Sequence, residues 1–177
     1  MFPQIPFTPG TTKVTGFSAD KGKKFCDKDG NVYVLNQLHT ALLADVTADG
    51  HIMFYQADGV ATNVAASAED TTNPRFAGVA CGVTAESTGS TESTIFYDLH
   101  LVDGRKTSVK CAASVADGDS LSTAVAGGGS PVDAEAQRIP KATTTAPAYH
   151  TWGGGKIGVA VTDVSSGTCT AIIKGNV

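Results

Sequence analysis

The apolar positions of this chain come in short runs separated by turn-forming residues. After Asp29-Gly30 they read Val32-Tyr33-Val34-Leu35, then Ile52-Met53-Phe54-Tyr55, then residues 76–83, each bounded by Gly, Asp or Asn and each too short for a stable helix. These runs predict strands. Over residues 94–102 the pattern alternates, with Ile95, Tyr97, Leu99 and Leu101 on one face and Phe96, Asp98 and His100 on the other, as a half-buried strand requires. The face carrying Asp98 and His100 is expected to be solvated, an intersubunit surface being the alternative. Asp103-Gly104 reads as a turn, and further strands are expected over 107–112, 120–125, 156–161 and 168–173. One helical signal stands apart. Ser130-Pro131-Val132-Asp133 offers an N-cap, a proline at the first helical position and an acid at the third, so a helix of about two turns is expected to start there and end before Pro140. Residues 141–155, with Thr143-Thr144-Thr145 and Gly153-Gly154-Gly155, read as a long loop.

The first 24 residues differ from all this. They hold Pro3, Pro6, Pro9, Gly10, Gly16 and Gly22 together with Phe2, Ile5, Phe7 and Phe17. Prolines disfavour a helix, and apolar side chains are poorly solvated on a free tail, so residues 1–28 read as an extended arm that docks either on its own body or on a neighbour. Phe2, Ile5, Phe7 and Phe17 are its candidate contacts. Trp152, beside three glycines, is a fifth contact candidate, with ordinary core packing as the alternative.

Composition sharpens the fold class. Gly 20, Thr 22 and Ser 12 make up about 30% of the 177 residues, at the expense of the residues that fill amphipathic helices. The chain is therefore expected to be all-β, a compact sandwich or barrel-like fold with at most one short helix. Thirteen Lys and Arg against 17 Asp and Glu give a net charge of −4, without the cationic face that nucleic-acid binding needs. No stretch approaches the roughly 20 apolar residues of a membrane span. The start, Met1-Phe2-Pro3-Gln4-Ile5-Pro6, lacks the basic and apolar regions of a secretory signal, so synthesis is expected to end in the cytoplasm. Cys26, Cys81, Cys111 and Cys169 are widely spaced without a C-x-x-C pair and read as buried free thiols.

The chain also carries an internal near-repeat. Ala77-Gly78-Val79-Ala80 matches Ile157-Gly158-Val159-Ala160 at a spacing of 80 residues, from Gly78 to Gly158. Each copy has an upstream acidic turn, Ala48-Asp49-Gly50 or Ala116-Asp117-Gly118-Asp119. Each ends on a strand and a glycine, Leu101-Val102-Asp103-Gly104 or Ile172-Ile173-Lys174-Gly175. Residues 29–177 thus read as one β domain made of two related units, about 31–104 and 105–177. A glycine recurring inside a strand points to a bulge, a bend or the close approach of another backbone.

These segments resemble a known family. Gly30-Asn31-Val32-Tyr33-Val34-Leu35, Phe76-Ala77-Gly78-Val79-Ala80, the turn Ala116-Asp117-Gly118-Asp119-Ser120-Leu121 and Lys156-Ile157-Gly158-Val159-Ala160-Val161, with the closing strand of 169–175, are similar to the pattern of the head decoration, or cement, proteins of tailed double-stranded DNA bacteriophages. The likeness covers about residues 29–177. It departs in the acidic Asp117 before Gly118 and in the long Pro-containing arm. The resemblance implies a compact β fold that assembles as a homotrimer on the outer surface of a capsid, binds the major capsid protein and stabilises the head. The expected location is then the virion, after synthesis in a host bacterium.

Motifs for chemistry are sparse. His39, His51, His100 and His150 are scattered, and no nucleophile elbow, phosphate-binding loop or zinc-protease motif occurs, so no enzymatic activity, cofactor or metal is expected. Asp27-Lys28-Asp29-Gly30-Asn31 looks like the start of a calcium loop but places Leu38 where the bidentate Glu belongs, and reads as a turn. The alternative function is a receptor- or glycan-binding module of a phage tail or fibre, with Tyr97 and Trp152 as its sugar platform.

Overall fold

Strands form where the aromatic and β-branched runs lie, and glycine, aspartate and asparagine punctuate them. The computed structural model describes residues 1–11, 17–38, 49–62, 68, 75–82, 95–123, 135–138 and 156–175. Its strands are β1 (Lys24–Cys26), β2 (Val32–Leu38), β3 (Ile52–Tyr55), β4 (Ala61–Thr62), β5 (Phe76–Val79), β6 (Phe96–Lys110), β7 (Ser120–Ser122), β8 (Gln137–Arg138), β9 (Lys156–Ala160) and β10 (Thr168–Lys174). A 3-10 turn at Ser18–Asp20 is the helical element among the described residues. The molecule is all-β. Trp152, the start of the expected helix and the loop of 141–155 lie outside the described residues.

Five strands close on themselves in the order β2-β4-β3-β5-β6, with β2 returning to pair antiparallel with β6 from Leu38↔Phe96 to Val32↔Asp103. Closure uses one parallel contact, Leu38↔Ala61 between β2 and β4. A closed ring leaves no free edge in its wall. Outside it, β1 pairs with β2, and the sheet continues from β6 through β10, β9, β7 and β8.

The continuation repeats the pairings of the ring. In the first set Gly50 N–H donates to Ala80 O at 2.8 Å and Ala80 N–H to His51 O at 2.9 Å; in the second, Gly118 N–H donates to Ala160 O and Ala160 N–H to Asp119 O, both at 2.9 Å. Met53 faces Gly78 as Leu121 faces Gly158, and Val79 faces Leu101 as Val159 faces Ile172. Each set also has a bulge beside its glycine, between Met53 and Phe54 and between Leu121 and Ser122. Close approach accompanies the bulge. A methyl group at Gly158 would lie 2.4 Å from the Ile172 carbonyl oxygen, and one at Gly78 would lie 2.6 Å from His100 Cβ. The parallel closing contact recurs as well, as a bridge between Cys111 and Ala136. The end of β6 with β8, β7, β9 and β10 thus forms a second ring, joined to the first through β6.

Two expectations are corrected. Asp103-Gly104 is not a turn: β6 runs straight through it, because Asp103 and Gly104 pair with Lys174 and Ile173 of β10, and two-sided pairing outweighs a local turn preference. The helix expected toward Pro140 gives way to strand at its described end. Ala136 N–H donates to Lys110 O, Ala136 O accepts from Ala112 N–H, and Gln137–Arg138 pair with β7. A two-turn helix gains too little from its own bonds to compete. Within the arm, Ser18–Asp20 form the 3-10 turn and Lys24–Cys26 pair with β2 as a strand.

The main core runs through both rings, from Leu35, Phe54 and Leu99 to Leu121, Ile157 and Ile173, all buried. A smaller cluster of Leu38, Met53, Tyr55, Ala77 and Phe96 lies beside it. No helix among the described residues is long and apolar enough to cross a membrane.

Candidate functional site

The N-terminal arm is built onto its own barrel. Cys26 N–H donates to Pro3 O at 2.8 Å and Ile5 N–H to Cys26 O at 3.0 Å, so residues 3–5 cover the outer edge of β1. Phe7 stands edge-on to Phe17 with ring centroids 5.0 Å apart, and Phe17 lies tilted over Tyr97 at 6.5 Å. Ile5, Phe7 and Phe17 are half-buried against the main core. These three predicted contacts therefore pack within the chain. Phe2 does not: it is 47% exposed, as are Met1, Ile95 and Ile172 in similar or greater degree. Deleting residues 1–11 removes Ile5 and Phe7 from that packing, a loss of about 2 kcal/mol. Calorimetry of the shortened chain is expected to show a melting temperature lower by roughly 4–8 °C, with strand content by circular dichroism unchanged.

Farther along, the arm reaches the first ring at a carboxylate. Gly10 N–H donates to Asp98 Oδ1 at 3.0 Å, and Leu99 N–H donates to the same oxygen at 2.7 Å. Asp98 and His100 are fully buried, which corrects the expected solvated face. The polar positions at 98 and 100 mark an internal network, because both faces of this half of β6 are covered. Asn36 organises it. Its amide nitrogen donates to Ala77 O at 2.7 Å and to His100 Nδ1 at 2.9 Å, and its oxygen accepts from Tyr55 O–H at 2.9 Å. With Nδ1 accepting, the His100 ring proton is assigned to Nε2.

Burial sets the charge states. It pushes the Asp98 carboxyl up to about 7 despite the N–H groups of Leu99 and Gly10, and it pushes His100 down to about 3. Asp98 Oδ2 and His100 Nε2 have no hydrogen-bond partner among the described residues. The pair is enclosed, so a dissolved substrate does not reach it in this conformation. Its present role is to hold strand, arm and ring together.

The Asp27 turn has a different use for its oxygens. Asp27 Oδ1 accepts from Asp29 N–H and Asn31 N–H, both at 2.9 Å, while Oδ2 accepts from Asn31 Nδ2 at 2.8 Å and Tyr33 O–H at 3.1 Å. Burial pushes this carboxyl up, but the bonds from Asn31, Asp29 and Tyr33 outweigh it and hold it below the ordinary value. Among the described residues, no group of three or more His, Cys, Asp or Glu gathers as a metal site. Asp27→Ala strands four donors and is expected to cost about 1–2 kcal/mol in urea denaturation. Because those lone pairs are already engaged, EDTA or added calcium is expected to leave the native melting temperature unchanged.

Two features were hidden from sequence reasoning. One is the Gly10–Asp98 contact, which spans 88 residues and has no local signature. The other is a pair of thiols, Cys111 and Cys169, whose sulfurs lie 2.9 Å apart although 58 residues separate them in the chain. Compared with protein families, curated proteins and solved structures, the chain matches none.

Proposed function

We propose that this chain is a decoration protein of a tailed double-stranded DNA phage head, binding as a homotrimer to the outer surface of the shell formed by the major capsid protein. The observation that carries the reading is the matched register of the two Gly-Val-Ala strands, since these are the segments on which the family resemblance rests. Two joined rings make a stiff platform, and what such a protein needs is area rather than a reactive group. A stable interface buries on the order of 1,600 Å², and a trimer touching several shell subunits multiplies weak contacts through effective concentration. Phe2, Ile95 and Ile172 supply exposed apolar surface for such contacts. The low net charge makes docking tolerant of salt, because little long-range attraction is there to be screened.

The test is co-sedimentation of the purified chain with expanded shells that lack a decoration protein, together with counting copies on purified particles. Saturable binding in fixed ratio to the major capsid protein, at hundreds of copies per particle and little changed from about 50 to 200 mM salt, is expected. Binding that vanishes over that range would overturn the reading. A few copies per particle would instead support the tail or fibre module.

A further inference from the structure

We propose that Cys111 and Cys169 form an oxidisable pair whose disulfide staples the second ring at its seam. Cys111 directly follows β6 and itself makes the closing bridge to Ala136, while its N–H donates to Gly167 O at 3.0 Å. Cys169 sits in β10 opposite Val109, two positions before Cys111, so the two side chains lie diagonally across neighbouring strands on one face. Their sulfurs, 2.9 Å apart, need approach by less than about 1 Å to reach bonding distance. Both side chains are buried, at 1% and 3% exposure.

The other two cysteines are placed differently. The Cys26 thiol is directed at the Phe2 carbonyl at 3.2 Å, and the Cys81 thiol at the Val79 carbonyl at 3.8 Å. Within the proposed pair the two sulfurs are unequal. The hydrogen bond from Cys111 lowers the Cys169 thiol against the opposing effect of burial, and the same bond, with burial, raises Cys111. With Cys169 attacking first Cys111 resolves, and the reverse order gives the same disulfide.

Burial restricts the oxidant to a small neutral molecule, and hydrogen peroxide fits. The Cys169 thiolate attacks one peroxide oxygen, the O–O bond breaks, and the departing hydroxide takes up the proton that Cys169 lost, leaving a sulfenic acid and water. The Cys111 sulfur then attacks the Cys169 sulfur. The S–S bond forms, the S–O bond breaks, and hydroxide leaves as water with the Cys111 proton. Two thiols lose two electrons and one peroxide becomes two waters. A reducing cytoplasm keeps the pair open, and an oxidising medium closes it. This inference is independent of the capsid reading.

The experiment uses the full chain with Cys26→Ser and Cys81→Ser, which leaves the pair and its packing untouched. The folded protein is treated with peroxide or kept under a phosphine reductant, then denatured, alkylated and weighed. After peroxide we expect the loss of two hydrogens, no alkylation, and one cross-linked peptide pair containing Cys111 and Cys169. The melting temperature should rise by roughly 5–10 °C, reversibly on reduction. A bulky aromatic disulfide reagent should label neither thiol before unfolding. Thiols that both stay alkylatable after peroxide, that gain oxygen without linking, or that link only in the unfolded chain overturn the proposal. Should the double variant not fold, peptide mapping of the natural chain gives the same readings.

Discussion

Alanine at Gly50 is expected to cost the fold several times what alanine at Gly118 costs, although the two glycines hold matching places in the two rings. Both have positive φ, +87° and +78°, so either substitution carries the backbone penalty of about 1–2 kcal/mol. Their surroundings differ. A methyl group at Gly118 meets nothing within 4 Å, whereas one at Gly50 would lie 1.5 Å from the Ser108 carbonyl oxygen. The Gly50 turn presses directly on the second half of β6. Its carbonyl accepts from Lys110 N–H at 2.9 Å, and Asp49 beside it pairs with the Lys106 ammonium. Backbone cannot yield as a side chain can, so Gly50→Ala must either tear the turn from β6 or bend the strand. A total loss of about 4 kcal/mol or more follows for Gly50→Ala, with a melting temperature roughly 10 °C lower. Urea denaturation of the two variants checks this, and equal losses would mean that the turn does not touch β6 in solution.

The second large effect is a pair of opposed pH slopes. Asp98 releases its proton near 7 in the folded chain and near 3.8 when unfolded, so its contribution to stability falls as pH rises from about 4 to 7. His100 behaves oppositely. Folded, it takes a proton only near pH 3, against 6.5 unfolded, so its contribution rises with pH from about 3 to 6.5. Each amounts to on the order of 4 kcal/mol over its full range. Between pH 4 and 6.5 the two cancel in the natural chain. Removing one uncovers the other: relative to the natural chain, Asp98→Asn should gain stability as pH rises from 4 to 7, and His100→Gln should lose it as pH rises from 3 to 6.5. Urea midpoints taken every half pH unit give both difference curves. A flat Asp98→Asn curve would place the Asp98 carboxyl in water rather than in the ring.

Much of the fold was legible along the chain because strands leave a strong local trace. The runs at 52–55 and 156–161 coincide with β3 and β9 to within a residue, and the alternating segment from 94 marks the first half of β6. The near-repeat was legible for a physical reason as well: an added methyl group would lie 2.4 Å from the Ile172 carbonyl oxygen at Gly158 and 2.6 Å from His100 Cβ at Gly78, so each ring calls for glycine at the same place in its Gly-Val-Ala strand. What misled was everything decided by partners distant in sequence. Asp103-Gly104 has the composition of a turn and becomes strand because β2 and β10 flank it. Asp98 and His100 have the spacing of a wet face and are enclosed because Asn36, Tyr55 and the arm close over them. Two-residue strands such as β4 and β8 have no periodicity to read at all. Of the candidate contacts, Ile5, Phe7 and Phe17 were correctly apolar and in need of cover, but which surface supplies that cover is a tertiary matter.

The double use of β6 also decides how this molecule comes apart. Its first half is the last stave of one ring and its second half the first stave of the next, so fission of the chain between residues 104 and 105 would leave each ring its own stave while severing the one strand they share. One hydrophobic core runs through both rings along that strand, and the pair should melt in lockstep, behaving as a single mechanical element despite its doubled plan.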